Sequence, residues 1–400
     1  MFDFDRVVDR RGTHASKWDN MASLSGITAP DAIPMWVADM DFTAPPGVTA
    51  ALTAEVERGT HGYYANTGTW ASALVDWMAR RHGVKIDPAW VSPTPGIVSG
   101  LGLILQAVSE PGDEVVVFPP AYHAFRKIIV ANERRILDAE LIQTQGSNQN
   151  ARYAMDLDAL RQKLTPRTKV VFFCSPHNPG GNAWSAEEIK ALAAFCIEHD
   201  LILVSDEIHC DLVFKGAKHT PTMVAAPEVA DRLITCVAAT KTFSLAGAHV
   251  GACVTSNPAL KRRVDARIAA SGLGSCNGFG MIATEAAWRT GEAWLDALLP
   301  YLDKNRTNFD TRIEAAAPGA RSMRLDGTYL AWVDFSGTGL PPEDVAARVA
   351  KRARIFASPG EQFGPGGAAW LRFNFATPRP TLDEALGRLE DAFADLRAGK

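Results

Sequence analysis

The chain lacks any long unbroken run of apolar residues. Short runs such as 170–174 and 201–204 end within a few residues, whereas a helix that crosses a bilayer needs about 20. Residues 1–19 alternate charged with apolar side chains and contain no apolar stretch typical of a secretory leader. These absences argue against a membrane protein and against export, so we expect a cytoplasmic location.

The chain also has little excess of charge of either sign, because 41 Lys and Arg stand against 45 Asp and Glu, a net charge of -4. This balance excludes the basic surface typical of proteins that bind nucleic acid or anionic membranes. The six cysteines show neither C-x-x-C nor paired Cys/His spacing: Cys174, Cys196, Cys210, Cys236, Cys253 and Cys276. We therefore predict no metal, and buried free thiols in a reducing compartment.

The usual nucleotide-binding loops are missing as well. The motif G-x-x-x-x-G-K-[ST] is absent, and Gly272, Gly274 and Gly278 do not have the spacing of G-x-G-x-x-G. P-loop NTPases and Rossmann dehydrogenases are thus disfavoured. The glycine-containing turn at 94–100 instead opens a predicted helix at 97–109, whose first amides offer a site for one phosphate.

What remains is ordinary globular composition, with 47% hydrophobic and 22% charged residues. Between residues 90 and 255, β-branched runs alternate with helix-period segments, which indicates βαβ units and a mostly parallel sheet. The predicted strands are 114–118, 169–174, 201–206, 233–238 and 250–255. A predicted helix at 185–199 starts with Ser185, followed three positions later by Glu188, the pattern of a capping box.

A polar cluster follows each of four consecutive predicted strands. In chain order these clusters contain Tyr122, Asn178, Asp206 and Lys241. Ligands of open parallel sheets bind outside the carboxyl ends of the strands. We therefore expect the four side chains to converge on one site.

These clusters lie within longer motifs that carry a family resemblance: PMWVADMDF, WVSPTPGIVSGL, SPHNPGG, SDEIHCDL, TKTFSLAG and WLRFNFATP. The chain resembles the MalY/PatB group of carbon-sulfur lyases, pyridoxal-phosphate enzymes of the fold-type I aminotransferase superfamily. The resemblance implies an α/β fold with a large domain at 48–288. A smaller α/β domain would be built from both termini, residues 1–47 and 289–400. It also implies pyridoxal 5'-phosphate, a small amino-acid substrate and a homodimer with shared active sites.

The resemblance assigns three residues to the catalytic centre. Lys241 would carry the cofactor as a Schiff base and remove the substrate Cα proton, tasks that suit a lysine because burial lowers its pKa. Asp206 would face the pyridine nitrogen of the cofactor. Tyr122 would stack on the face of the ring.

The remaining assignments concern binding. Asn178, which would also lie beside the substrate, and His209 would contact the ring hydroxyl. The phosphate would take the amides of Gly96, Ile97 and Val98 and the hydroxyl of Thr240. Arg372 would bind the substrate α-carboxylate as a two-pronged donor, with Val37, Ala38 and Asp39 lining the entrance.

The chain departs from the family pattern at several phosphate-binding positions. Ala238 and His249 stand where the superfamily often has Ser or Thr and Arg. Ala65-Asn66 stands where the lyase group has a Gly-Tyr pair, whose tyrosine reaches the phosphate of the neighbouring subunit. Asn66 thus occupies that position, and Tyr64 or Tyr63 would substitute for the missing phenol.

The activity that this resemblance implies is β-elimination. An L-cysteine S-conjugate such as cystathionine would yield a thiol, pyruvate and ammonia. The same scaffold leaves two alternatives open within enzymes, transamination and oxidative deamination. A non-catalytic regulatory binding protein is a further alternative.

Overall fold

The computed structural model describes residues 2–65, 67–144 and 151–398. Its strands, in chain order, are β1 (Ile33–Pro34), β2 (Val91–Thr94), β3 (Glu114–Val117), β4 (Arg135–Asp138), β5 (Ile142–Gln143), β6 (Tyr153–Ala154), β7 (Thr168–Cys174), β8 (Ile202–Asp206), β9 (Leu233–Val237), β10 (Gly251–Val254), β11 (Arg321–Ser322), β12 (Leu330–Asp334), β13 (Ile355–Phe356), β14 (Ser358–Pro359) and β15 (Trp370–Asn374).

The helices, in the same order, are α1 (Ser16–Asp19), α2 (Met21–Ser25), α3 (Pro46–Arg58), α4 (Thr67–His82), α5 (Ile97–Val108), α6 (His123–Ala131), α7 (Leu157–Lys163), α8 (Ala186–Glu198), α9 (Thr222–Ala225), α10 (Ala239–Thr242), α11 (Pro258–Ala270), α12 (Gly278–Thr290), α13 (Glu292–Ala316), α14 (Pro342–Ala347), α15 (Arg379–Ala392) and α16 (Ala394–Ala398). Among the described residues, no helix is both long and apolar enough to cross a membrane.

The central sheet has seven strands in the order β2-β10-β9-β8-β7-β3-β4. The five strands from β9 to β4 pair in parallel, whereas β10 is antiparallel to both of its neighbours. Each predicted strand between 114 and 255 is present, with ends that differ by one residue at most. The mostly parallel α/β fold predicted from the sequence is confirmed.

Both faces of this sheet are covered, as a parallel sheet requires. Alternate residues of β7 show the division, because Val171 and Phe173 pack with α8 while Val170 and Phe172 pack with α5. Helix α8 begins with the predicted capping box, in which Ser185 and Glu188 satisfy each other's backbone amides. All six cysteines are buried and unpaired, as predicted.

A second sheet, antiparallel in the order β11-β12-β15-β14, is formed by the C-terminal part of the chain. The N-terminal part joins it nearby, because β1 pairs in parallel with β13. One apolar cluster combines Met35 and Phe42 from the N-terminal part with Phe309 and Phe373 from the C-terminal part. The domain boundaries at 47/48 and 288/289 stay a prediction.

Candidate active site

The four polar clusters meet because their strands β9, β8, β7 and β3 are consecutive neighbours in the central sheet. Tyr122, Asn178, Asp206 and Lys241 line a single cavity at the carboxyl ends of these strands. Arg372, which comes from β15 of the second sheet, lines the same cavity. The structure therefore brings residues separated by as many as 250 positions, from two sheets, to one cavity.

Lys241 lies on the short helix α10, directly after β9. Its Nζ donates a hydrogen bond of 2.7 Å to the backbone oxygen of Ala38. Burial lowers the pKa of Lys241 to about 8, although Asp39 and Asp206 favour its ammonium form. An amine with this pKa exchanges protons readily near neutral pH, which is the property required of a general base.

A buried carboxylate holds the turn that carries this lysine. Thr242 Oγ1 donates to Asp211 Oδ2 at 2.7 Å, and Trp77 Nε1 donates to Asp211 Oδ1 at 3.1 Å. His82 Nε2 lies 2.7 Å from the same carboxylate. Asp211, in the loop after β8, thus links α10 to α4 through hydrogen bonds. These bonds fix the position of the turn that carries Lys241.

Asp206 and His209 are buried, each with only 2% of its surface exposed. Burial raises the pKa of Asp206 to about 7, while the backbone amide of Ile208, 3.3 Å from Oδ1, acts in the opposite direction. Burial also lowers the pKa of His209 to about 3, which keeps the imidazole neutral. Its Nδ1 has no hydrogen-bond partner among the described residues, so this nitrogen is available to a ligand.

Arg372 is a buried cation, 2% exposed. Its guanidinium donates to Asn178 Oδ1 at 2.9 Å and to the backbone oxygen of Trp36 at 2.8 Å. Burial lowers its pKa to about 10, so it stays charged at neutral pH. Within the described part of the chain its partners are neutral acceptors and Nε has none. The positive charge is therefore free to bind an anionic group.

The entrance segment, residues 36–39, forms one wall of the cavity. Trp36, Val37 and Ala38 line it. The prediction for Asp39 requires a correction, because this residue is not among the described residues that line the cavity. Its carboxylate forms a salt bridge of 2.7 Å with Arg10.

A second lobe of the cavity extends toward the start of α5. It is lined by the predicted phosphate-binding residues Gly96, Ile97, Val98 and Thr240, together with His249, and it shares Tyr122, Asp206 and Lys241 with the first lobe. The amides of Ile97 and Val98 lie in the first helical turn, where no preceding carbonyl accepts them. The amide of Gly96 differs from the prediction, because it donates to the Thr94 oxygen at 2.8 Å.

Gly96 contributes through its conformation instead. Its φ is +85°, a value that favours glycine and lets the chain turn sharply from β2 into α5. Thr240, one residue before Lys241, faces the same lobe from the other side.

Of the three candidates for a contact across subunits, Tyr63 and Tyr64 line a depression outside this cavity. Tyr64 is 3.4 Å from Glu285 Oε2 and lines a separate depression with His61 and Phe279. Asn66 lies outside the described residues. Neither Tyr63 nor Tyr64 is among the described residues that line the cavity, and the role of all three candidates toward a partner subunit stays a prediction.

Several residues that line the cavity were not predicted from the sequence: Leu24, Trp36, His123, Lys127, Cys174, Phe356, Ser358 and Gln362. Trp36 and His123 adjoin predicted site residues and Cys174 lies four positions before Asn178, so a wider window around each motif would have included them. Ser358 and Gln362 lie near a stretch rich in Pro and Gly that carries no chemical signal.

The fold and the site together define an enzyme of the aminotransferase type. A family model described as aminotransferase class I and II matches residues 37–389. The chain belongs to this family.

Several individual proteins resemble the chain over nearly its whole length. The chain is 38% identical to the cystathionine β-lyase PatB of Bacillus subtilis over 392 residues, 98% of this chain and 100% of the relative. The crystal structure of cystalysin from Treponema denticola, which contains pyridoxal 5'-phosphate, gives a TM-score of 0.93 at 30% identity, covering 99% of this chain and 100% of that chain. The pyridoxal-phosphate-bound C-S lyase of Staphylococcus hominis gives a TM-score of 0.89 at 29% identity and covers 98% of both chains.

The raised pKa of Asp206 predicts a pH dependence of stability in the cofactor-free protein. The folded state keeps the proton of Asp206 up to about pH 7, whereas the unfolded chain releases it near its ordinary value. Stability is therefore lost as pH rises toward 7. Asp206→Asn removes this loss. As pH rises, the free energy of unfolding of the variant should therefore increase relative to that of the unmodified protein by about 1.4 kcal/mol per pH unit.

Urea unfolding of both proteins from about pH 5 to about pH 8 measures this difference. The gap should widen up to about pH 7 and then stay constant. Asp158→Asn serves as the control, since the Asp158 side chain is 96% exposed. If the free energies of unfolding of Asp206→Asn and the unmodified protein differed by the same amount at every pH, this result would contradict the raised pKa of Asp206.

Proposed function

We propose that the protein catalyses β-elimination of L-cysteine S-conjugates, cystathionine among them, to a thiol, pyruvate and ammonia. The observation that carries this proposal is the placement of Lys241, Asp206 and Arg372 around one cavity. A base, a buried acid and a free buried cation are the groups that elimination from an amino acid requires. The relatives named as cystathionine β-lyase and C-S lyase support the choice of elimination.

The residues around the cavity fit pyridoxal 5'-phosphate. Asp206 is buried and offers its carboxylate to a protonated ring nitrogen, and the Nδ1 of His209 is unpartnered among the described residues. The second lobe presents the first turn of α5 and Thr240 to an anionic group, the usual way in which helix N-termini hold phosphate. When bound, the cofactor supplies an electron-withdrawing ring that stabilises negative charge at the substrate Cα.

The chain's own residues then divide the work. Arg372 binds the substrate carboxylate with two parallel N–H groups, which orients the Cα–H bond within the cavity. Lys241 accepts the Cα proton on Nζ, as its lowered pKa permits. Asn178 holds Arg372 in place through the 2.9 Å hydrogen bond. The side chains of Leu24 and Phe356 add an apolar part to the lining of the cavity.

A product assay tests this activity. We expect the reconstituted protein to release pyruvate and free thiol from cystathionine in equal amounts, and Lys241→Ala to lose this activity because the general base is gone. Keto-acid formation at the expense of a co-substrate would indicate an aminotransferase instead. An absence of any turnover with the cofactor bound would favour a regulatory binding protein.

Arg372→Lys provides the matched variant in the same assay. A lysine keeps the charge but presents it as a point rather than a planar fork. We expect KM for cystathionine to rise about tenfold, the loss of roughly one charge-assisted hydrogen bond, with a smaller change in kcat. An unchanged KM would place the carboxylate site elsewhere.

We also propose a homodimer in which Tyr64 contributes to the neighbouring site. Tyr63 and Phe279, beside the depression that Tyr64 lines, are exposed aromatic residues, and exposed apolar patches commonly mark interfaces. Sedimentation as a monomer under assay conditions would contradict the dimer.

We also propose a cytoplasmic location, because the buried free thiols are typical of a reducing compartment.

A further inference from the structure

The entrance segment presents a row of backbone oxygens, each of which accepts a hydrogen bond from a distant side chain. The donors, in segment order, are Arg372 to Trp36 at 2.8 Å, Asn374 to Val37 at 2.7 Å, Lys241 to Ala38 at 2.7 Å, and both Asn374 at 2.8 Å and Lys17 at 3.0 Å to Asp39. Two of these donors are the proposed base and the proposed carboxylate-binding residue. The position of the segment therefore sets the position of both groups.

Lys17 is the one charged donor in this row to which no role has been assigned. It lies on α1 and is 1% exposed, which is rare for a lysine. Its Nζ donates to Asp41 Oδ2 at 2.6 Å as well as to the Asp39 oxygen. Its own backbone oxygen accepts from Trp36 Nε1 at 3.0 Å. Lys17 thus contacts both ends of the entrance segment.

Stability alone does not account for a charged pair at this place. Removing two charges from water is costly, and an apolar pair of similar volume is commonly as stable or more so. What the charged pair adds is a specific set of contacts, because one ammonium group donates to both the Asp41 carboxylate and the Asp39 oxygen. Arg10 binds the same part of the chain, because its guanidinium donates to the carboxylates of Asp39 and Asp41 and to the Met40 oxygen.

We propose that Lys17 is a positioning residue for the elimination reaction. It fixes the entrance segment so that the Ala38 oxygen holds Lys241 and the Trp36 oxygen holds Arg372. Its effect on turnover rests on the proposed function, whereas its effect on the amine of Lys241 does not. The two consequences are therefore measured separately.

The first measurement uses cofactor-free protein. Trace acetylation followed by mass spectrometry gives the pH at which the Lys241 amine becomes reactive. In Lys17→Met the ammonium form loses its well-placed acceptor, so we expect the Lys241 pKa to fall. The charged groups that act on this amine are Asp39, Asp206 and Arg372, and the substitution leaves all three in the chain.

The second measurement is kcat/KM for cystathionine in the reconstituted enzyme. We expect Lys17→Met to lower it at least about tenfold, since small displacements of a reacting group carry a large kinetic cost. The acid limb of the kcat profile should move to lower pH together with the Lys241 pKa. This shift is a readout that general destabilisation would not produce.

Arg134→Met is the matched control. Arg134 is also a buried cation, bound to the backbone oxygens of Ser109 and Asn132, but it precedes β4 at the opposite end of the sheet. We expect this variant to lose stability without changing the acetylation profile or the kcat profile. If Lys17→Met does not fold, Lys17→Met/Asp41→Leu replaces both charges and should show the same two changes.

The possible results separate the two proposals. Profiles of Lys17→Met that match those of Arg134→Met at equal stability would overturn the positioning role. An acetylation shift in Lys17→Met, in a protein whose unmodified form releases no pyruvate, would support the positioning of Lys241 and overturn the proposed elimination. Shifts in both measurements support the two proposals together.

Discussion

The site depends on two cations whose N–H groups donate to neutral oxygens rather than to carboxylates. Lys241 is held by the Ala38 oxygen and Arg372 by the Trp36 oxygen and Asn178. A carboxylate partner would have neutralised either charge and occupied the position that a substrate needs. Backbone oxygens satisfy the N–H groups while leaving most of the positive charge available to a ligand.

This arrangement also explains why two sheets and the N-terminal segment are all required. The central sheet supplies Lys241 and Asp206 at its carboxyl edge, the second sheet supplies Arg372 on β15, and residues 36–39 lie between them. A shift of any one part would break hydrogen bonds to the other two. The buried network of Lys17, Asp41 and Arg10 restrains the entrance segment from the side remote from the cavity.

Much of the site was predictable from the sequence because the signals are local. The apolar runs that lead to Tyr122, Asn178, Asp206 and Lys241 predict parallel strands, and parallel strands bring their carboxyl ends to one edge. The capped helix α8 follows from Ser185 and Glu188 by the same local reasoning. The family resemblance added roles to these positions.

Other features depend on contacts between distant parts of the chain and carry no local signal. The Asp39 carboxylate was predicted at the entrance without its partner Arg10, which lies 29 positions earlier and binds it. The Gly96 amide was predicted to be free, but the Thr94 oxygen engages it. Lys17 reaches the Asp39 oxygen across 22 positions, and Ser358 reaches the Trp36 oxygen only once the N-terminal and C-terminal parts have packed together.

The central claim is that Lys241 is the residue that binds the cofactor and acts on the substrate. Borohydride reduction of the protein reconstituted with pyridoxal 5'-phosphate, followed by digestion and mass spectrometry, locates the lysine that carries the cofactor. The account predicts one pyridoxyl group per chain, on Lys241. A pyridoxyl group on another lysine, or none at saturating cofactor, would contradict it.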